Sequence, residues 1–273
     1  MASCVRAEIA PVESAMDGRL ALSGNLSLAR DEVHVSFVCL QAMSRHVDSL
    51  LEILVPDEVA RAARFRFETD RNEYIVARGL LRRILGCYTG FAPHLLQFRY
   101  SSYGKPALAA EWGGDRIAFN LSHSCGVAVY AVTRNRNVGV DLEYTNQYIE
   151  FDQMAKRFFS PREASLFLQL PAQEKRGAFF SCWTRKEAYV KARGGGLSLD
   201  LRCFDVTLAP GQPASLLRVA GDSSEVQRWS LSDLPAPARY AAALAAEGTV
   251  SRILQLLLPT SFEGNHPEKQ IGE

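Results

Sequence analysis

Apolar and polar residues alternate through residues 33–40 (Val-His-Val-Ser-Phe-Val-Cys-Leu), which predicts a strand with one buried face. The period then lengthens. Pro56 followed by Asp57 and Glu58 predicts a helix start, with proline in the first turn and acids at the positive end of the dipole. A second helix is predicted from about residue 71 to 88, ending before Gly90. Its stripe is Tyr74, Ala77, Leu81, Ile84, Leu85 and Tyr88, with Arg78 at the margin. Strands are expected at residues 117–121, 126–132 and 138–143, the last two joined by the polar turn 133–137.

Helical spacing returns at residues 151–159, followed by Ser160-Pro161-Arg162-Glu163, a capping-box pattern that opens a helix reaching residue 170. A long helix from about residue 174 to 193 stops at Gly194-Gly195-Gly196. Strand patterns recur at residues 203–208, 215–219, 227–231 and 240–246, and residues 254–258 are apolar. Helix followed by strands in each half predicts two similar α+β lobes, 31–140 and 141–258, without a sequence repeat linking them. Residues 1–30 read as an N-terminal extension, and the polar tail 259–273 as disordered.

Composition narrows the function classes. A length of 273 residues with 47% hydrophobic content fits a globular chain of one large or two smaller domains. The formal charge of +1 gives no global pull toward nucleic acid or a membrane surface. Apolar runs are too short for a spanning helix, and the first residues lack the core of a secretory signal. Six cysteines stand singly without a CxxC pair, so reduced packing thiols and a cytoplasmic location are expected. None of the five histidines has zinc-ligand spacing.

The chemistry concentrates in a few acids. On a strand over 138–143, Asp141 and Glu143 share a face while Val138, Val140 and Leu142 point into a core; Gly139 leaves room on the acidic face. Downstream, the helix Trp183-Thr184-Arg185-Lys186-Glu187-Ala188-Tyr189-Val190-Lys191 places Glu187 between Phe180 and Trp183, with Lys186 on the opposite flank of that apolar stripe. Charges set in an apolar stripe require partners. Three carboxylates, two of them on one rigid strand, suit a hard cation such as Mg2+. The plainer alternatives are a solvated strand edge for Asp141 and Glu143, and an i,i+4 ion pair between Glu187 and Lys191.

Other segments are weaker alone. Phe119-Asn120-Leu121-Ser122-His123-Ser124 ends a strand in a corner able to hydrogen-bond phosphate oxygens, although an ordinary turn fits equally. Ser122 and His123 are adjacent in sequence, which makes no hydrolase triad. Tyr103-Gly104-Lys105-Pro106 offers a stiffened loop with a positive head, and Arg61, Arg64, Arg66 and Arg78 add basic character near the first helices. The three glycines at 194–196 lack phosphate-loop spacing and follow a helix instead of preceding one.

Together these segments resemble the Sfp-type 4'-phosphopantetheinyl transferases. Gly-Lys-Pro at 104–106, Phe-Asn-Leu-Ser-His-Ser at 119–124, Gly-Val-Asp-Leu-Glu at 139–143 and the helix motif at 183–191 follow that family's order and spacing. Arg157-Phe158-Phe159-Ser160 and the Gly-Gly-Leu ending at Leu197 look like its connecting segments, and the likeness runs over about residues 33–247. The resemblance implies two lobes related by a pseudo-twofold axis, with coenzyme A between them as co-substrate. It further implies a monomer that transfers the phosphopantetheine arm to a serine of an apo acyl- or peptidyl-carrier protein and releases adenosine 3',5'-bisphosphate.

By the same resemblance, Asp141, Glu143 and Glu187 would hold Mg2+, with Mn2+ as a substitute. Arg61, Arg78, Lys105, Pro106, Ser122, His123, Asp141, Lys186 and Lys191 would contact coenzyme A. Glu187 would take the serine proton, directly or through a bound water, and Lys191 would neutralise or protonate the leaving phosphate. Glu58 departs from the family, many of whose members carry lysine there. Phe158, Phe159 and the loop near 120–125 would meet the carrier. A non-catalytic coenzyme A- or carrier-binding regulator and a Mg2+-dependent phosphohydrolase are the alternative readings.

Overall fold

Three apolar clusters organise the chain in the computed structural model, which describes residues 19–21, 26–146, 148–196, 199–209 and 211–258. The expected tail 259–273, Leu197 and most of the extension 1–30 lie outside the described residues.

The first unit begins with β1 (Arg19–Ala21), β2 (Glu32–Cys39), α1 (Val47–Leu51), α2 (Pro56–Ala62) and the long α3 (Glu68–Thr89). A short ribbon follows, β3 (Phe98–Tyr100) with β4 (Pro106–Leu108), and then the hairpin of β5 (Ile117–Ser124) and β6 (Val127–Arg134). The second unit repeats the plan. It runs β7 (Val138–Tyr144), α4 (Phe151–Phe158), α5 (Pro161–Leu168) and the long α6 (Ala172–Arg193), then the ribbon β8 (Phe204–Val206) with β9 (Leu216–Val219). The short α7 (Glu225–Arg228), β10 (Trp229–Asp233) and β11 (Tyr240–Glu247) complete it, and β12 (Arg252–Leu257) ends the described chain.

The strands form a five-stranded sheet, β1-β12-β2-β6-β5, and a three-stranded sheet, β10-β11-β7. Helix α3 covers one face of the first sheet, burying Ile75, Leu81 and Leu85 with Val38, Phe119 and Tyr130. Helix α6 covers the second, burying Ala188 and Tyr189 with Leu231, Ala243 and Ala245. The opposite faces of both sheets share one core, in which Val33, Val35 and Val129 meet Val138, Val140, Leu142 and Leu244. This is the mixed α+β architecture expected. Among the described residues no helix is long and apolar enough to cross a membrane.

Strand pairing crosses the lobe boundaries expected at 31–140 and 141–258. β12 pairs in parallel with β2, Ile253 opposite Val33 and Leu254 opposite His34, so residues 252–257 belong to the first sheet. Residues 138–140 belong to the second, because β7 pairs with β11 from Val138 onward. An apolar period marks a strand without naming the sheet it joins.

The two units match in detail although their sequences do not. α3 and α6 each span 22 residues and end at a left-handed glycine, Gly90 (φ 75°) and Gly194 (φ 73°). Before each stands a short helix with proline at its first turn and a buried glutamate two residues on. Glu58 accepts from the Val55 N–H at 3.2 Å and Glu163 from the Ser160 N–H at 2.8 Å. Each glutamate then grips a fully buried cation at the fifteenth residue of its long helix: Arg82 at 2.6 Å and Lys186 at 2.8 Å. Each cation also donates to two main-chain carbonyls, Pro93 and Leu96 for Arg82, Leu201 and Phe204 for Lys186. Each lies over the ring opening the next ribbon, Phe98 at 5.0 Å and Phe204 at 4.1 Å.

Candidate active site

The edges of the two sheets run side by side at β5 and β7, and side chains do the joining. Asn120 Oδ1 accepts the Val140 N–H at 2.9 Å, and Ser124 Oγ accepts the Tyr144 N–H at 3.1 Å. Ser122 Oγ donates to Asp141 Oδ1 at 3.1 Å and Ser124 Oγ to Glu143 Oε2 at 3.2 Å. Alternate residues of β5 therefore serve β7, while Leu121 and His123 take the other face. The polar corner predicted at 119–124 thus continues as a strand, with only Cys125 and Gly126 turning the chain into β6.

Gly139 brings the helix in. A Cβ at this position would collide with the Ala188 carbonyl and the Ala192 nitrogen of α6, so helix backbone lies directly on the strand. That approach sets Glu187 and Lys191 beside Asp141. Lys191 Nζ donates to Asp141 Oδ1 at 2.6 Å and to Ser122 Oγ at 2.9 Å. The i,i+4 pair of Glu187 with Lys191 is replaced by this inter-element bridge. Asp141, Glu143, Glu187, Lys191, Ser122, His123, Leu121 and Trp183 line one open cleft of about 420 Å3.

Its electrostatics follow from crowding. Burial, then the Asp141 charge, pushes the carboxyls of Glu143 and Glu187 above their ordinary range. Burial and the nearby Lys191 ammonium push the His123 imidazole down. Asp141 is 3% exposed, and its Oδ2 is buried without a hydrogen-bond partner. An all-oxygen donor set with an unsatisfied carboxylate oxygen suits a hard cation, which would relieve the mutual repulsion. Among the described residues, however, no three His, Cys, Asp or Glu side chains are closed into a metal-binding group. The acids share a cleft without forming a coordination sphere; Lys191 supplies the positive charge on Asp141.

A neighbouring cavity of about 360 Å3 extends over the first lobe, lined by Arg61, Phe65, Tyr74, Arg78, Tyr100, Pro106 and His123. His123 and Leu121 line both spaces. Arg61 lies over the Tyr74 ring at 5.6 Å. Arg78 donates from Nε to the buried Glu58 carboxylate and from Nη2 to the Tyr100 hydroxyl at 2.8 Å, with its guanidinium 4.1 Å from the Phe98 ring centre. Glu58 thus holds the Arg78 cation from behind.

Two lysines stand apart from the expected set. Lys186 is fully buried in the second lobe on Glu163, its side chain leaving α6 about 100° round the helix from Glu187. Lys105 Nζ donates to the carbonyls of Val138 (3.0 Å), Lys191 (2.6 Å) and Ala192 (3.2 Å), and burial lowers its pKa to about 8. Phe159, expected on an apolar docking patch, is buried in the second core, while Phe158 packs edge-on to Trp183 at 5.5 Å. Tyr100 and Tyr74 escaped the sequence reading as cavity walls. Tyr74 lies one turn before Arg78 on the same helix, which could have signalled it; Tyr100 sits in a three-residue strand too short to show a period.

Comparison with known proteins finds relatives of this chain. Residues 137–245 match the 4'-phosphopantetheinyl transferase superfamily, and residues 41–135 match the 4'-phosphopantetheinyl transferase, N-terminal family. The junction between the two matches falls in the turn between β6 and β7. The chain is similar to the 4'-phosphopantetheinyl transferase HetI of Nostoc sp., with 40% identity over 82% of this chain and 91% of HetI. It is 30% identical to the 4'-phosphopantetheinyl transferase psf-1 of Bacillus pumilus over 77% of this chain and 91% of that one. The 4'-phosphopantetheinyl transferase Sfp of Bacillus subtilis is 29% identical over 59% of this chain and 69% of Sfp.

Proposed function

Since this chain belongs to the 4'-phosphopantetheinyl transferase superfamily and is an enzyme of that class, we propose that its cleft moves the phosphopantetheine arm of coenzyme A onto a serine of an apo carrier protein. The serine oxygen attacks the phosphorus that bears the pantetheine arm. The bond from that phosphorus to the bridging oxygen breaks, and adenosine 3',5'-bisphosphate leaves with the electron pair. The serine proton passes to a base, and no oxidant or reductant enters.

One observation supports this reading most: Asp141, Glu143 and Glu187 gather in one open cleft beside Lys191, with a buried Asp141 oxygen left unpartnered. Asp141, Glu143 and Glu187 would hold Mg2+, which when bound supplies charge neutralisation to the diphosphate. Lys191 faces the same space and would steady charge on the leaving phosphate. Ser122 and His123 offer hydroxyl and imidazole to phosphate oxygens, while Arg61, Arg78, Tyr74, Tyr100 and Pro106 would receive the nucleotide end. Glu187 would take the serine proton; a carboxyl raised by burial is a better base than an exposed one. Phosphoryl displacement needs placement and charge neutralisation more than an in-chain nucleophile.

Incubation with coenzyme A, Mg2+ and apo carrier proteins, read by intact mass, tests the proposal. One added phosphopantetheine group per carrier, lost on chelating the metal, is the expected result. Phosphate release from coenzyme A with no carrier present would replace the transferase reading with the phosphohydrolase one.

A further inference from the structure

Lys105 stands where the two lobes meet, and its ammonium is wholly engaged with main chain. An ammonium has three N–H donors and no acceptor, and Lys105 Nζ faces three carbonyls: Val138, Lys191 and Ala192. Val138 opens β7. Lys191 and Ala192 lie in the last turn of α6, where helix carbonyls run out of N–H partners and the dipole favours a cation. These two elements carry the acids and the lysine of the cleft, and Gly139 is where they touch.

The loop that presents Lys105 is built to hold it. The Ser101 N–H donates to the Lys105 carbonyl at 3.0 Å, and the Gly104 N–H to the Ser101 carbonyl at 2.9 Å, across a left-handed Gly104 (φ 79°). Ser101 Oγ accepts the Lys105 N–H at 3.1 Å. The glycines after α6 make the seat. A Cβ on Gly194 would meet Lys105 Cδ at 3.6 Å, and one on Gly196 would lie 2.7 Å from Tyr103 Cβ. Two of the three glycines that read as a helix stop therefore also receive a loop from the other lobe.

We propose that Lys105 is a positioning residue: it ties the start of β7 to the last turn of α6 and so sets the spacing of Asp141 and Glu143 from Glu187 and Lys191, without binding substrate phosphate. The inference rests on the transferase reading for its kinetic consequence but not for its structural one. In Lys105→Met, kcat is expected to fall roughly 10- to 100-fold while KM for coenzyme A stays within about twofold. Lys105→Arg, which keeps a cation and several donors, is expected to recover part of kcat. A raised KM with kcat preserved would make Lys105 a substrate ligand and overturn the proposal. Hydrogen exchange of Lys105→Met needs no turnover: faster exchange is expected at the amides of residues 138–141 and 188–194, and unchanged protection there contradicts the tie. If the wild type modified no carrier, the transferase reading alone would fall, and the exchange result would still decide the role of Lys105. Should the methionine variant not fold, exchange in Lys105→Arg decides: protection kept at both segments supports the tie, and protection lost there despite the retained cation opposes it.

Discussion

The two lobes share a scaffold and differ in what they hang on it. Each buries a glutamate from a short helix against the fifteenth residue of a long one, Glu58 with Arg82 and Glu163 with Lys186. The strands beneath the long helices then diverge. His34 pairs across the sheet with Val132 as Gly139 does with Ala245, and Ser36 with Tyr130 as Asp141 with Ala243. In the first lobe His34 fills the space under α3 and bonds the Tyr88 hydroxyl at 2.6 Å. In the second, glycine lets α6 descend, and the next residue on that face is an acid. Positions that repeat between lobes hold the fold; positions that break the repeat carry the cleft.

Breaking the repeated clamp should hurt both lobes alike. Glu163→Gln leaves the buried Lys186 short of its partner and Glu58→Gln leaves both Arg78 and Arg82 so, and each is expected to destabilise by about 3–5 kcal/mol, measured by chemical denaturation. A large difference between them would mean that the clamps are not equivalent. Asp141→Ala should leave stability near that of the wild type while lowering transfer by at least about 10²- to 10³-fold, measured by carrier mass. Full activity at saturating magnesium would remove Asp141 from the chemistry.

Gly139→Ala should sharpen the contrast. Its methyl meets helix backbone that cannot yield, so a loss of roughly 1–3 kcal/mol is expected together with reduced kcat. His34→Ala, at the matching place, should leave kcat unchanged. Glu187→Gln is expected to abolish transfer yet raise stability by about 0.5–2 kcal/mol, because a carboxyl pushed up by burial and by Asp141 opposes folding when ionised.

The sign of the pH dependence follows from the same shifts. The folded state holds protons on Glu143 and Glu187 that the unfolded chain has already released, so their contribution to stability declines as pH rises from 4.5 through the folded values. Activity should fall on acidification beginning above the ordinary carboxylate range. The smallest effect belongs to Lys105. Its pKa is lowered from 10.5 to about 8, so the unfolded chain binds a proton across that interval that the folded one lacks. Stability from this group rises with pH between those values, and Lys105→Met should flatten that rise.

Much of this was legible in the sequence because local patterns dictate it. Alternation at 138–143 located Asp141 and Glu143 on one face; Gly139 read as room beside them, and the backbone of α6 fills that room. The Pro-x-Glu starts at 56–58 and 161–163 were readable too. The clamp was not, since its partners lie 24 and 23 residues apart and arginine replaces lysine, leaving no repeat to find. Lys105 and Lys186, both expected on coenzyme A, have protein partners that the sequence does not show. A lysine beside a functional motif looks available, and only packing reveals that carbonyls or a buried glutamate already claim it. β12 joined the first sheet through a parallel pairing that no local period encodes.

Intact-mass measurement of an apo carrier, incubated with coenzyme A and Mg2+ and either wild-type enzyme or Asp141→Ala, tests the central claim most directly. The account expects one phosphopantetheine added by the wild type and none by the variant. An unmodified carrier in both, or equal modification in both, would contradict it.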